Sequence, residues 1–330
     1  MADCNCSIGV DLGGTKLAAG IVTDDGKLLV SDRSPTRSRA GYEVVIQQIV
    51  ELVRSLASRA GISLDQAHAV GVGAAGQIDV NTGVIHHAVN LFPERDIPFG
   101  PLIAERLSLP VVVDNDVRAS TLGEYLFGFT ARVESLYNVF VGTGVGSGYI
   151  RRNRIMRGHT NSACEVGHHS IRFDGRKCGC GNRGCLEQYT GGLAIARMAR
   201  EAMQAEGGAT IREMCGGDPE KANGAVVAAA AERGDPAALK LIDDAGFYLG
   251  CGLANIINLF NPEVLMLGGG VMKIGERFRA VAEKTAVERA LGSAGASTRF
   301  VSSQLGDAAG LIGASCLWRV DAEGGIQPVR

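Results

Sequence analysis

The chain has 330 residues, of which 46% are hydrophobic and 21% are charged, and its formal net charge is −2. A chain of this length predicts two globular domains, and its near-balanced charge gives no reason to expect nucleic-acid or membrane-surface partners. It contains no run of about eighteen apolar residues and no basic-then-apolar leader, so we expect a cytoplasmic protein without a membrane partner.

The first predicted elements are two strands joined by a glycine turn, over residues 7–22. The turn reads Asp11-Leu12-Gly13-Gly14-Thr15. Its glycines lack the Cβ that would block a phosphate, and successive N–H groups can form an anion-binding concavity. Thr15 adds a hydroxyl donor, and Asp11 could hold a hydrated magnesium beside the phosphates. An ordinary glycine hairpin is the alternative interpretation.

A helix is predicted over residues 42–60, and short apolar strands follow at 70–73 and 111–113. The second strand ends at Asp114-Asn115-Asp116, where a carboxylate or amide can cap the next helix. Asp116 stands at a strand-to-helix junction, which often presents catalytic carboxylates, although a plain helix cap is the alternative. Asn115 can both donate and accept hydrogen bonds and suits a hydroxyl-rich ligand, whereas Asp114 could be structural.

Two more glycine turns follow apolar strands, Gly142-Thr143-Gly144 and Gly268-Gly269-Gly270. Between them, residues 225–252 are alanine-rich and helical, with a break near 233–236. Strands that alternate with helices indicate an α/β fold. Three glycine turns after three apolar strands are hard to explain as hairpins alone, yet neither the P-loop nor the dinucleotide fingerprint is present.

A cluster of thiols and imidazoles indicates a metal site. His168, Cys178, Cys180 and Cys185 have the residue types and short spacing of a tetrahedral Cys₃His zinc site. His169 is a competing ligand that spacing does not exclude. Without a secretion signal, the crowding of cysteines into this segment favours reduced thiols and metal over disulfides. Two glutamates, Glu165 and Glu187, stand just outside the ligands.

Taken together, these segments resemble the ROK family of bacterial sugar kinases and sugar-responsive repressors, over nearly the whole chain. Its phosphate motifs are similar to Asp11-Leu12-Gly13-Gly14-Thr15-Lys16 and Gly142-Thr143-Gly144-Val145-Gly146. Gly268-Gly269-Gly270-Val271 resembles its adenosine segment. The most specific match is its zinc and sugar signature, Glu165-Val166-Gly167-His168 with Cys178-x-Cys180-Gly181-x-x-Gly184-Cys185-x-Glu187.

The resemblance implies an α/β, two-domain actin-like ATPase (ribonuclease H-like) fold with a cleft between the domains. A smaller N-terminal domain would comprise residues 1–115 and about 307–330, and a larger one residues 116–306 with the zinc-bound sugar loop. ATP with Mg²⁺ would bind at the glycine turns. The implied nucleotide-binding residues are Asp11, Gly13, Gly14, Thr15, Lys16, Gly142, Thr143, Gly144, Gly268, Gly269 and Gly270.

The implied activity is ATP-dependent phosphorylation of a hexose, first of all glucose to glucose 6-phosphate, with Asp116 as general base. The implied sugar-binding residues are Gly76, Asn90, Asn115, Asp116, Glu165, His168 and Glu187. Zinc would be structural, and His168 would face both the metal and the sugar. The resemblance also implies a homodimer or a higher homo-oligomer.

Departures from the family pattern leave the sugar open. Arg118 stands where asparagine is usual, and Asn161 and Cys164 stand where glycine is common. We expect Arg118 to be a solvated helix residue rather than a contact for an unusual or anionic substrate. Kinases for N-acetylmannosamine, fructose or allose are alternatives, as is a non-catalytic sugar-sensing protein. About six residues precede the first predicted strand, so we do not expect the helix-turn-helix segment of a family repressor.

Overall fold

The computed structural model describes residues 5–88, 91–205 and 207–328 and has a mixed α/β architecture, which confirms the predicted class. The strands are β1 Cys6–Leu12, β2 Lys16–Thr23, β3 Leu28–Pro35, β4 Ala67–Ala74, β5 Gln77–Asp79, β6 Val84–His87, β7 Val111–Asn115, β8 Ser135–Val141, β9 Val145–Arg151, β10 Arg154–Ile155, β11 Val264–Gly268 and β12 Arg299–Ser302. The helices are α1 Tyr42–Ala60, α2 Phe99–Leu107, α3 Asp116–Phe127, α4 Glu187–Thr190, α5 Gly192–Gln204, α6 Ala209–Met214, α7 Gly224–Glu232, α8 Pro236–Phe260, α9 Glu276–Arg289, α10 Gly292–Ser297 and α11 Ala309–Ser315. In this described part of the chain, no helix has the length and apolarity that a membrane crossing requires.

The chain divides into two compact units. Unit 1 comprises residues 1–136, 148–164 and 303–330, and unit 2 comprises residues 137–147 and 165–302. The domain boundaries expected from the sequence, at residue 115 and near residue 307, stay a prediction.

Unit 1 is built on a five-stranded sheet with the order β3-β2-β1-β4-β7. β1 pairs antiparallel with β2 and parallel with β4, which pairs parallel with β7. Helix α1 covers one face of this sheet with the apolar stripe that the sequence predicts, including Val45, Ile49 and Val53. The helix ends where Gly61 takes a left-handed φ of 68° and donates to the last carbonyls, a conformation that glycine adopts without strain.

Helix α11 brings a late part of the chain onto this same sheet. It packs on β1, β4 and α3 within unit 1. A Cβ on Gly9 of β1 would overlap the carbonyl of Leu311, and one on Gly71 of β4 would overlap the carbonyl of Ala314. The two glycines therefore let the helix backbone lie directly on the sheet.

The second sheet has the strand order β10-β9-β8-β11-β12. In unit 2, the long helix α8 packs against α9 and is clamped to it by a bidentate ion pair between Arg277 and Asp243, at 2.6 and 2.7 Å. The predicted break near residues 233–236 is present: α7 ends at Glu232, and Asp235 caps α8 by accepting from Ala238 N at 2.8 Å. This break confirms the boundary expected from Pro236.

Candidate active site

Three candidate segments of unit 1 follow three adjacent parallel strands. Across the sheet, Asp11 of β1 is in register with Gly73 of β4, and Gly73 is in register with Asp114 of β7. The first glycine turn, the Gly76 loop and Asp116 therefore all begin at the carboxyl edge of the sheet. Neighbouring strands lie about 4.8 Å apart, so roughly 10 Å of sheet separates the ends of β1 and β7. Ligands of open α/β sheets bind at this edge.

The first glycine turn is held by the chain that follows β3. Thr36 Oγ1 donates to Gly13 O at 2.7 Å, and Ser38 Oγ donates to Gly14 O at 3.2 Å. Gly13 N–H closes the hairpin by donating to Lys16 O at 2.9 Å. With the carbonyls of Gly13 and Gly14 occupied, the N–H groups that the turn can offer to an anion are those of Gly14 and Thr15. The alternative of a plain hairpin does not explain why two hydroxyls from another segment fix its carbonyls.

The Asp11 carboxylate lies beside this turn, against the first turn of α11. A Cβ built on Gly310 would lie only 2.9 Å from Asp11 Cγ, so glycine at that position makes room for the carboxylate. Burial raises the pKa of Asp11, and the Lys16 ammonium partly offsets the shift. A carboxylate oxygen of this kind suits magnesium, which prefers one or two carboxylates together with phosphates and water.

Asp116 is the first residue of α3, and its neighbour Asn115 is the residue that caps the helix. Asn115 Oδ1 accepts from Val117 N at 3.0 Å and from Arg118 N at 3.1 Å. Asn115 is therefore the main cap of α3, and Asp116 Oδ1 also accepts from Val117 N, at 2.9 Å. Since Oδ1 of Asn115 is used in the cap, its Nδ2 is the group that can be offered to a hydroxyl-rich ligand.

Arg118 is not the solvated residue that the sequence suggested. It is 2% exposed, and its Nε donates to Asp114 Oδ1 at 2.8 Å. Arg157 binds the other oxygen of the same carboxylate, at 3.0 and 3.1 Å. The prediction for Arg118 was wrong because a buried carboxylate, one turn back in sequence, compensates its charge. Asp114, by contrast, has the structural role that we expected.

In unit 2, the second glycine turn meets Glu187. Glu187 begins α4, and its Oε2 accepts a long hydrogen bond from Val145 N, at 3.4 Å. A Cβ on Gly144 would overlap this carboxylate oxygen. Gly142 O in turn accepts from Gly192 N at 2.8 Å, at the start of α5. The structure thus brings together a candidate phosphate turn and a candidate sugar-binding carboxylate.

The four candidate metal ligands lie together in the same unit. Ligand atoms of His168, Cys178, Cys180 and Cys185 all lie within 4.8 Å of one another. The Sγ atoms of Cys180 and Cys185 are 3.7 Å apart, and Nδ1 of His168 is 3.8 Å from Sγ of Cys178. Zinc–sulfur bonds of about 2.3 Å place neighbouring sulfurs of a tetrahedron about 3.8 Å apart, so the residues present fit zinc.

The competing imidazole has other partners. Nδ1 of His169 contacts Val166 O at 2.6 Å, and its Nε2 lies 3.1 Å from Nδ2 of Asn255. Both ring nitrogens are thereby engaged, and burial lowers the pKa of this histidine. The geometry therefore favours His168, whose Nδ1 faces the sulfurs, over His169 as the fourth ligand.

Glu187 also links the cluster to the glycine turn. Its Oε1 lies 3.8 Å from Nδ1 of His168 and 3.6 Å from Sγ of Cys178. The turn that carries His168 packs closely on β9, since a Cβ on Gly167 would overlap Val145 O. The candidate metal ligands, the Glu187 carboxylate and the second glycine turn are therefore in mutual contact within unit 2.

Sequence reasoning missed Gln188, which follows Glu187. Its Nε2 lies 3.6 Å from Sγ of Cys178, and its Oε1 accepts from Nη1 of Arg197 at 3.0 Å. Amide donors of this kind orient and stabilise metal-bound thiolates. No spacing rule marks Gln188, because its partner stands nine residues away on α5.

The remaining candidates have varied positions. Glu165 is exposed at the start of the short turn that carries His168. Gly76 has a φ of 143°, and a Cβ there would come 2.6 Å from His87 O. Gly268 is the last residue of β11, and Gly269 and Gly270 follow it, Gly269 with a φ of 98°. Asn90 lies outside the described residues.

Comparison with known proteins decides the family. The sequence model of the ROK family matches residues 7–321. The chain belongs to the ROK family. This membership confirms the resemblance drawn from the glycine turns and the zinc signature.

Members of the ROK family with assigned roles cover most of the chain. A glucokinase from Streptomyces coelicolor is 34% identical over 316 residues, which are 95% of this chain and 97% of that enzyme. A xylose repressor from Caldicellulosiruptor bescii is 28% identical over 276 residues, which are 84% of this chain and 68% of the repressor.

Among solved structures of the ROK family, a glucokinase from Streptomyces griseus in complex with glucose and AMPPNP is similar to this chain. Its TM-score is 0.81 at 34% identity, and the match covers 94% of this chain and 98% of that one. The likeness confirms the predicted two-domain actin-like ATPase fold.

Proposed function

We propose that this ATP-dependent sugar kinase of the ROK family transfers the γ-phosphoryl group of ATP to the 6-hydroxyl of glucose. The observation that carries the proposal is the position of Glu187, which contacts both the Gly142–Gly144 turn and the His168 cluster. A kinase must hold a phosphate and a hydroxyl-rich acceptor side by side, and Glu187 links the two candidate sites. The glucokinases from two Streptomyces species support glucose as the acceptor.

In the proposed reaction, Asp116 accepts the proton of the attacking sugar hydroxyl. Its place at the first turn of α3 is fixed by the Asn115 cap, so the carboxylate is held on a rigid element. As the hydroxyl oxygen bonds to the γ-phosphorus, the bond to the bridging oxygen breaks and ADP leaves. Phosphoryl transfer depends on positioning and electrostatic stabilisation, and a well-placed general base contributes about 10²–10⁴-fold.

The sugar would be recognised by polar groups that contact its hydroxyls. We propose that these contacts come from Gly76, Asn90, Asn115, Glu165, His168 and Glu187. A wrong sugar would leave such a group unpaired, at a cost of about 1–3 kcal/mol. Selectivity among hexoses would follow from the number of these mismatches.

ATP would bind to the N–H groups of the glycine turns, with Lys16 and the hydroxyls of Thr15 and Thr143 as further donors. Gly268, Gly269 and Gly270 would contact the adenosine. Asp11 would hold Mg²⁺, which supplies charge neutralisation on the β- and γ-phosphates.

We further propose that zinc binds His168, Cys178, Cys180 and Cys185 and has a structural role. All four protein positions of a tetrahedral site are filled by these side chains, which leaves no open position for a reacting group. The loop from His169 to Leu186, described throughout, has isolated bridges but no regular helix or strand. A bound metal would therefore stabilise a segment that no regular helix or strand stabilises.

Coupled ADP release with a panel of sugars tests the proposal. With ATP and magnesium, glucose should give the highest kcat/KM among glucose, N-acetylmannosamine, fructose and allose, and the phosphorylated oxygen can be assigned by NMR. Asp116→Ala should abolish turnover, whereas Asp65→Ala, which alters an exposed aspartate of the same unit, should not.

The outcomes separate the alternatives. If another sugar of the panel is preferred, the kinase is retained and glucose is wrong. If no hexose or acylamino-hexose supports turnover, the kinase proposal fails. Calorimetric sugar binding without turnover would instead favour a sugar-sensing protein.

A further inference from the structure

A buried charge cluster adjoins the proposed base. It comprises Asp114, Arg118 and Arg157, whose side chains are 0%, 2% and 7% exposed. One carboxylate thus compensates two guanidinium groups, and all three belong to unit 1. Burying charged groups is costly unless each is paired and hydrogen-bonded, so such a cluster indicates a specific task.

The cluster joins three separate segments of unit 1. Asp114 Oδ1 accepts from Asn115 N at 2.7 Å as well as from Arg118. Beyond the carboxylate, Arg118 Nη1 donates to Asn161 O at 2.7 Å, and Arg157 Nη1 donates to Asp321 O at 2.9 Å. Arg118 therefore ties the first turn of α3 to the segment of residues 157–164.

Two residues of the 157–164 segment have left-handed backbone conformations, and the segment leads directly into Glu165. Asn161 has a φ of 59° and Cys164 a φ of 65°, in the left-handed region that side-chain-bearing residues rarely adopt. Such conformations persist only where the surroundings hold them. Residue 164 is the last of this stretch in unit 1, and the chain continues directly into Glu165.

We propose that Arg118 is a positioning residue that fixes the 157–164 segment and thereby determines sugar affinity and selectivity through Glu165. The inference rests on the proposed function, in which Glu165 contacts the sugar. Arginine at this position supplies the donor that reaches Asn161 O while its Nε keeps Asp114 paired. A shorter side chain cannot satisfy both acceptors.

Loss of Arg118 should leave the position of Asp116, the proposed base, unchanged. Asp114 would keep its bonds from Arg157 and from Asn115 N, and the helix cap on α3 would remain. Asn161 O, however, would lose its partner, and the strained segment would relax. The effect should therefore fall on sugar KM and only weakly on kcat.

The test compares Arg118→Asn with Arg319→Asn. Arg319 is a matched control, since it is 7% exposed, lies in unit 1, and contacts Asp24 at 2.9 Å and the Trp318 ring, neither of which belongs to the proposed sugar or ATP site. In Arg118→Asn, we expect sugar KM to rise at least about tenfold, with kcat within about threefold and ATP KM unchanged. The ratio of kcat/KM values between glucose and N-acetylmannosamine should also change, and Arg319→Asn should leave all four quantities as in the wild type.

Hydrogen exchange supplies a readout that does not depend on turnover. Amides of residues 158–164 should exchange faster in Arg118→Asn than in Arg319→Asn. Arg118→Lys keeps the charge but lacks the second donor arm, so its amides in this segment should also exchange faster than those of Arg319→Asn. This variant replaces Arg118→Asn in the test if the asparagine variant does not fold. Unchanged sugar KM, or unchanged exchange in this segment, in a folded Arg118 variant overturns the inference. A wild-type protein that phosphorylates no sugar overturns the proposed function instead, and the exchange result still decides whether Arg118 fixes the segment.

Discussion

Replacing Gly144 with alanine tests whether Glu187 is held in place by the second glycine turn. The added Cβ would overlap Oε2 of Glu187, and among the described residues the one other atom within 4 Å is Cδ of the same side chain, at 3.6 Å. The obstacle is thus the free end of a flexible side chain, which can rotate away at little cost to the fold. Rotation would, however, break the bond to Val145 N and withdraw the carboxylate from its proposed sugar contact.

These contacts set the expected magnitudes. A lost hydrogen bond to a charged group costs about 1.5–3 kcal/mol, so kcat/KM for the sugar should fall about 10- to 150-fold. Steric strain below about 1 kcal/mol should lower Tm by less than about 4 °C. Steady-state kinetics by coupled ADP release and calorimetric melting measure the two effects separately.

Gly292→Ala is the matched control, because a Cβ at Gly292 of α10 in unit 2 has no atom of the described part of the chain within 4 Å. It should change neither Tm nor kcat/KM appreciably. Glu187→Gln should reproduce the kinetic loss of Gly144→Ala. A Gly144→Ala enzyme with wild-type kcat/KM, beside a defective Glu187→Gln enzyme, would refute the idea that the turn positions the carboxylate.

Three further predictions concern the base, the metal and the packing of α11. Asp116→Asn should lower kcat about 10²–10⁴-fold while calorimetry still detects binding of sugar and ATP; a smaller loss would assign the proton to another group. Purified protein should contain equimolar zinc by elemental analysis, and Cys185→Ser should lose metal and melt at a lower temperature; equal metal content in the variant would contradict the ligand assignment. Gly9→Ala should destabilise the protein by about 1–3 kcal/mol or more, since its Cβ would overlap the backbone carbonyl of Leu311; an unchanged Tm would show that α11 can shift.

Features encoded locally could be predicted from the sequence. The helix predicted over residues 42–60 is observed with those bounds. Its apolar stripe and the glycine that ends it are local features of the sequence and need no distant partner. The cap at the start of α3 was likewise expected from the polar run after β7, although the side chain that performs it, Asn115, could not be singled out among three candidates.

Features that depend on distant partners could not be predicted in this way. Arg118 looked like a surface residue because the buried network around it draws on distant parts of the sequence. Asp114, which neutralises Arg118, is also bound by Arg157, 39 positions after Arg118, and Arg118 Nη1 donates to the backbone carbonyl of Asn161. The proximity of Glu187 to Val145 N spans 42 residues and is invisible to spacing rules. The candidate metal ligands could be predicted from the sequence because these four residues stand at the short spacings that are typical of structural zinc sites.

The position of Glu187 also explains why a structural metal would matter for catalysis. One carboxylate oxygen faces Val145 N behind the phosphate turn, while the other lies near His168 and Cys178. Side chains of the candidate metal site thus line one side of the space that holds this carboxylate. Loss of zinc would free His168 and the sulfurs and let Glu187 rotate, as the Gly144→Ala change does by steric overlap. Removal of zinc should therefore raise the KM for sugar before it unfolds the chain, and a metal-depleted enzyme that keeps its sugar KM until it melts would show that zinc serves stability alone.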